Sequence, residues 1–424
     1  MIHTRRSFLQ RGLLLGTAMA PTVPSFIGRT MAGLVAAASA RSSVQAATGR
    51  DHPILVLVQL AGGNDGLNTL VPFEDDHYHR ARPRLAFGAD DVLRAGSETG
   101  LHPELRFFHR QISEGGATIV QNVGYPNPSR SHFVSMEIWE RGGDSTRLPR
   151  GGWIGRYFDH ACQGADPHVG VTMTRDAPPV FQNESGFGVS LAGFENLDFR
   201  DPREDALDLY EELNTPESGP GAAMAQGDDP VAFLRRVALD ARVSARHLEE
   251  IRGRYRPGGG YPGGFGHQLR EIAGLIGGGL DARVYYASLG GFDTHSNQAG
   301  AHAACLRTLD RSLAAFWRDI REQGNDERVM VMTFSEFGRR VHENESAGTD
   351  HGAAAPLFLL GGGRRHAGVY GANPNLAPDA LDRGDVAHQV DFRQVYATVL
   401  RDCLGTDPAP IIGGEHQPVD FFGV

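Results

Sequence analysis

The residues able to do chemistry fall where apolar runs end. Val329, Met330, Val331 and Met332 lead into Thr333, Phe334, Ser335, Glu336, Phe337, Gly338, Arg339 and Arg340, and after a short excursion come Gly348, Thr349, Asp350, His351 and Gly352. A β-branched, apolar run that ends on polar residues and a glycine delivers those polar groups to the carboxyl edge of a parallel sheet, where open α/β folds place their ligands. Three other runs end the same way. Ile54 to Leu60 passes into Gly62, Gly63, Asn64, Asp65 and Gly66, which leaves Asp65 at a strand tip, either as a site residue or at the centre of a plain Asn-Asp-Gly turn. Ala117 to Val123 is followed by Ser129, Arg130, Ser131, His132 and Phe133, with Ser131 at a helix start, where it suits an N-cap and equally a nucleophile beside a bound anion. Arg283 to Leu289 is followed by Gly291, Phe292, Asp293, Thr294 and His295. A carboxylate and an imidazole two residues apart after a strand can approach one ion from a common loop, although Asp293 also fits as the cap of the next helix.

The elements that must position these groups alternate along the chain. Amphipathic spacing predicts helices over His102 to Gly115, from His132 to Arg141, from Gly152 onward, and over Pro230 to Tyr255, Phe265 to Ile276, Ala301 to Gln323 and Asp391 to Leu404. Val169 to Met173 and Pro356 to Leu360 read as further strands. Strand and helix in alternation imply an α/β fold of three layers, a largely parallel central sheet with helices on both faces. From about residue 177 to 227 the periodicity gives way to Asp, Pro, Gly and Glu, an irregular insertion over the sheet edge. Arg364, Arg365 and His366 read as a small solvated basic turn.

Composition narrows the classes of function. With 424 residues, 55 glycines and 24 prolines, the chain is long enough for one large, loop-rich domain. A formal net charge of -10, with no extended basic run past the N-terminal segment, argues against a nucleic-acid surface. Arg5 and Arg6 precede a Gly- and Ala-rich apolar run broken by Pro21 and Pro24, which reads as a twin-arginine export signal over residues 1–46 and not as a lasting membrane span. The expected location is periplasmic or extracellular, with the domain occupying 51–424. Cys162, Cys305 and Cys403 are too far apart for a zinc cluster or a disulfide framework and read as buried small apolar residues, with one long-range disulfide as the alternative.

Five motifs in order, Gly-Gly-Asn-Asp-Gly at 62–66, Ser-Arg-Ser-His-Phe at 129–133, Gly-Phe-Asp-Thr-His at 291–295, Ser-Glu-Phe-Gly-Arg at 335–339 and Gly-Thr-Asp-His-Gly at 348–352, closely resemble the bacterial family catalogued as domain of unknown function 1501. The resemblance implies the alkaline-phosphatase-like fold shared by sulfatases and phosphomutases, and with it one or two divalent ions, Zn, Mn or Ca. By position Asp65 is similar to the first-strand aspartate of that superfamily, Ser131 to the nucleophile, Asp293 and His295 to a spaced ligand pair with shortened spacing, and His351 to the late histidine. Ser335 and Glu336 stand where the superfamily carries an Asp-His pair, so Glu336 is the implied ligand there and the second ion position loses an imidazole.

Hydrolysis of a phosphate or sulfate ester needs charge neutralisation on the nonbridging oxygens and a deprotonated nucleophile, and a divalent ion serves both ends. Arg130 or Arg339 is expected to grip the equatorial oxygens of a small anionic ester. His132 is expected either to orient a carboxylate or to be a satisfied structural histidine. The reading from a different class, motivated by Ser335 and Glu336, is a catalytically silent metal- or ligand-binding protein that keeps the fold. The formylglycine-forming Cys/Ser-x-Pro-x-Arg sequence of sulfatases is absent around Ser131.

Overall fold

The computed structural model describes residues 52–162, 167–175, 177–183, 189–190, 248, 250–363 and 368–422. The expected export signal, most of the 177–227 insertion, most of the Pro230 to Tyr255 helix and the basic turn at Arg364 lie outside those residues. Nine strands of the described residues form one sheet: β1 (Ile54–Leu60), β2 (Ala117–Gly124), β3 (Gly170–Thr172), β4 (Val189–Ser190), β5 (Val284–Leu289), β6 (Val329–Phe334), β7 (Ala355–Gly361), β8 (Gly368–Tyr370) and β9 (Val390–Asp391). Their order is β8-β2-β7-β6-β1-β5-β3-β4, with β9 also pairing with β2. β1 lies at the middle, parallel to both neighbours, with Leu57 opposite Tyr286 on one side and Met332 on the other. Only β7 runs against the rest, antiparallel to β6 and to β2. The segment between β6 and β7 holds no crossover helix, only a two-stranded ribbon of Arg339–Glu343 and Thr349–His351, so the chain comes back in the opposite direction.

β1 is apolar on both faces because both faces are covered. Ile54, Val56, Val58 and Leu60 join a core with Leu269 and Ile272 of the helix Gly263–Gly278 and Leu306, Leu313 and Phe316 of the helix Gln298–Glu322. Leu55 and Leu57 point the other way, into a core with Trp139 of the helix His132–Arg141, Trp153 of Trp153–Ala161 and Val395 of Phe392–Thr398. Two cores on opposite sides of a mostly parallel sheet make the three-layer α/β architecture expected from the sequence. Asp391 caps its helix with a capping box closed by Gln394, although that helix turns into a π-helical segment at Val399–Cys403. The helix expected over His102 to Gly115 is shorter, Arg106–Ser113. All three cysteines are free, Cys162 and Cys403 buried and Cys305 partly so. Among the described residues no helix is long and apolar enough to cross a membrane.

Candidate metal centre

Strands β1, β2, β5 and β6 all run out at the same edge, and the ribbon enters it ahead of β7. The loops there are pressed together closely enough to dictate residue type. Gly62 has φ +118, and a Cβ on it would lie 2.5 Å from the backbone nitrogen of Asp293. A Cβ on Gly348 would lie 2.2 Å from the carbonyl carbon of His295. Only glycine lets the β1 loop and the ribbon approach the β5 loop this closely.

Asp293 stands at the centre, its side chain 48% exposed. Its Oδ1 accepts from Arg339 Nη2 at 2.6 Å and lies 3.0 Å from His295 Nδ1 and 3.1 Å from His351 Nε2, while Oδ2 lies 3.6 Å from His132 Nε2. Partial burial opposes ionisation of this carboxyl, but its positive surroundings, led by the hydrogen bond and charge of Arg339, outweigh it and hold the pKa below the ordinary aspartate value. The ligand atoms of His132, Asp293 and His351 all lie within 4.8 Å of one another.

The two imidazoles are oriented from behind. His351 Nδ1 is 2.8 Å from the backbone carbonyl oxygen of Arg130, which only accepts, so Nδ1 carries the hydrogen. His132 Nδ1 is 2.8 Å from Glu336 Oε1, which also receives the Gly62 N–H at 2.8 Å. In the neutral rings both Nε2 lone pairs therefore face the oxygens of one carboxylate. Lone pairs facing one another at this range repel unless a cation or a proton lies between them. Carboxylate–histidine and carbonyl–histidine pairs are the supports that metal-binding imidazoles use, so these donors fit a divalent ion.

Other residues singled out in the sequence have different positions. Asp65 does not join this cluster. It is fully buried, with Oδ2 2.6 Å from Arg82 Nη1 and Oδ1 2.9 Å from Arg82 Nη2, and Oδ2 also accepts from Gln298 Nε2. Burial resists its ionisation, yet Arg82, with smaller help from His302 and Gln298, lowers its pKa below the ordinary value. Glu336, expected as a ligand, is buried behind His132 and contacts its Nδ1, outside the His132–Asp293–His351 cluster. The Arg339 guanidinium, expected to grip an anionic ester, is engaged by the carbonyls of Gly62, Gly63, Phe292 and Thr349 and by Asp293. Arg130 is likewise engaged, its Nε and Nη2 lying 2.9 and 2.6 Å from Asp385 Oδ2.

Ser131 occupies the N-cap position of the His132–Arg141 helix but makes no side-chain cap hydrogen bond, and it is exposed. The cap of the helix after β5 is Asn297, not Asp293. His295 stays at the rim, its ring centroid 4.7 Å from that of His351. His132 is the residue sequence reasoning undervalued, although its place directly after a strand-end loop was a usable signal. Arg82, Gln298 and Asp385 carried no local signal.

The fold and this edge define the chain as a three-layer α/β protein with a His-Asp-His cluster able to hold a metal. The family model described as Protein of unknown function (DUF1501) matches residues 274–417, a stretch that contains the Asp293, Glu336 and His351 motifs. No curated protein matches the sequence. Similar solved structures include a protein in the alkaline phosphatase superfamily from Vibrio parahaemolyticus, at 10% identity over 92% of this chain and 79% of that one, TM-score 0.35. Others are the alkaline phosphatase from the Antarctic bacterium TAB5, at 10% identity over 73% and 92%, TM-score 0.30, and the phosphonate monoester hydrolase of Agrobacterium radiobacter, at 11% identity over 87% and 78%, TM-score 0.30.

Proposed function

We propose that the protein is an exported, metal-dependent hydrolase of phosphate or sulfate esters. The observation that carries the reading is the pair of imidazoles with engaged Nδ1 atoms whose Nε2 atoms face the two oxygens of Asp293. His132, Asp293 and His351 would hold the ion, with His295 beside them. A divalent ion there supplies charge to neutralise an ester's nonbridging oxygens and to acidify a nucleophile. The chain supplies the rest. Glu336 and the Arg130 carbonyl fix the tautomers, and Arg339 keeps Asp293 anionic at its post. Ser131, exposed and next to His132 in sequence, offers the hydroxyl nucleophile. Phe133, 89% exposed on the same helix turn, offers an apolar edge for the organic part of the ester.

The test is titration of the purified protein with zinc and with manganese by calorimetry, followed by p-nitrophenyl phosphate and p-nitrophenyl sulfate turnover with the bound metal restored. Wild type is expected to bind an ion that Asp293→Asn weakens at least about 100-fold, consistent with loss of a direct ligand, and turnover is expected to follow occupancy. No binding of either ion at micromolar concentration would overturn the reading. The silent binding protein is the second reading, favoured by one observation: Arg130 and Arg339, the cations expected to grip an anionic ester, are both engaged with protein acceptors. Metal binding without turnover of any ester would select it.

A further inference from the structure

Asp385 belongs to no motif, is nearly fully buried, and sits in a tight turn in which Asp382 and Asp385 exchange backbone hydrogen bonds at 3.0 and 3.1 Å. Arg383 and Gly384 occupy the bend with φ of 54° and 87°. The turn forms a cradle for Arg130. Asp385 Oδ2 takes Nε and Nη2 of the guanidinium at 2.9 and 2.6 Å, and the Arg383 carbonyl takes Nη2 at 3.2 Å. Arg340, flanking from the ribbon, has Nε 3.9 Å from Asp385 Oδ1. A buried carboxylate hydrogen-bonded to Arg130 is a fixed anchor, since moving that guanidinium away strips the carboxylate of its hydrogen-bonded partner out of water.

The backbone of the anchored residue touches the candidate centre. The Arg130 carbonyl oxygen, 2.8 Å from His351 Nδ1, is that ring's acceptor, and His351 Nε2 then faces Asp293. Arg130 lies in the Tyr125-to-Ser131 loop between β2 and its helix, so nothing regular in the backbone holds the carbonyl in place. We infer that Asp385 is a positioning residue: through Arg130 it fixes the carbonyl that sets the His351 tautomer and ring direction, and so tunes the affinity of the His132–Asp293–His351 centre for a divalent ion. This rests on the reading of that centre as a metal site, and the test separates the two.

The variant is Asp385→Asn, compared with Glu343→Gln. Glu343 makes an equally short ion pair, 2.6 Å to Arg84 Nε, from the same ribbon but touches no ring of the centre. Two readouts are taken on the folded proteins: zinc and manganese affinity by calorimetry, and the His351 tautomer in metal-free protein by nitrogen-15 NMR. Wild type is expected to show the Nδ1–H tautomer. Asp385→Asn is expected to lose that preference and to weaken metal binding about 10–100-fold, the usual effect of removing an outer support, while Glu343→Gln changes neither. Arg130→Lys, which keeps the charge and loses the fork, is expected to fall between and serves if Asp385→Asn does not fold. An unchanged tautomer in Asp385→Asn or Arg130→Lys overturns the inference, as does an equal loss in Glu343→Gln. A tautomer that responds to Asp385 in a protein that binds no metal upholds the positioning role and removes the metal reading.

Discussion

Asp65→Asn separates a structural carboxylate from a metal ligand. In the wild-type protein two donors converge on Oδ2, Arg82 Nη1 and Gln298 Nε2, and one on Oδ1, Arg82 Nη2. An asparagine must put its NH2 group at one of these positions, facing a donor of Arg82 either way. The Arg82 guanidinium, with Asp65 at 0% exposure on both sides of the pair, is left without its counter-charge. Breaking a buried pair by removing one partner costs about 3–5 kcal/mol, a large fraction of the roughly 5–15 kcal/mol that holds a domain folded. Guanidinium unfolding followed by circular dichroism is expected to show a midpoint lowered accordingly, while zinc stoichiometry and affinity of the folded variant stay those of wild type. The pH dependence has a definite sign. Because the folded pKa of Asp65 is lowered, its contribution is complete above the unfolded carboxyl pKa of about 3.9 and is lost as pH falls through the lower folded value. The acid limb of wild-type stability is therefore expected to be steeper than that of Asp65→Asn. An unchanged unfolding midpoint together with lost metal binding would refute this reasoning and return Asp65 to the metal.

Ser131→Ala is expected to leave the free energy of unfolding within about 0.5 kcal/mol, as for an unengaged surface residue, because its side chain makes no cap bond; ester turnover is expected to be lost, and intact turnover would assign the attack to water. Glu140 is buried with Tyr286 Oη at 3.3 Å, and burial pushes its pKa up to about 8. Its raised pKa means that stability is full below the unfolded value of about 4.3 and declines as pH rises through about 8, so Glu140→Gln is expected to be more stable than wild type at pH 8 and equal to it near pH 4. Unfolding curves at the two pH values check this.

Much of this was legible in the sequence because strands buried on both faces leave little ambiguity. Ile54–Leu60 has no polar alternation until Gln59, and its boundaries in the sequence are those in the sheet. The strand-end motifs converge on one edge for the same reason: glycines and polar residues stop an apolar run where the sheet stops. What the sequence hid is the assignment of charges to partners. Asp65 and Asp293 look alike as strand-tip aspartates. They differ because Arg82, from the short helix Asp76–Ala81 and its end, reaches under the first, and no periodicity reports where a long side chain points. The partners of Arg339 and Arg130 are hidden on the same ground, since a guanidinium with five donors satisfies carbonyls in its own fold as readily as the oxygens of a ligand.

The lone reversed strand, β7, bears on how the protein folds. It is wedged between β2 and β6, so residues 355–361 join a strand laid down more than two hundred positions earlier to one just completed. His351 sits at its threshold and His132 at the far side of β2. The two rings, 4.4 Å apart between centroids, cannot meet until that insertion is made. Loop-closure entropy places contacts of such separation late in folding. The His132–His351 pair is thus a reporter of sheet completion, and an ion captured there would bind only the finished domain and draw the folding equilibrium toward it.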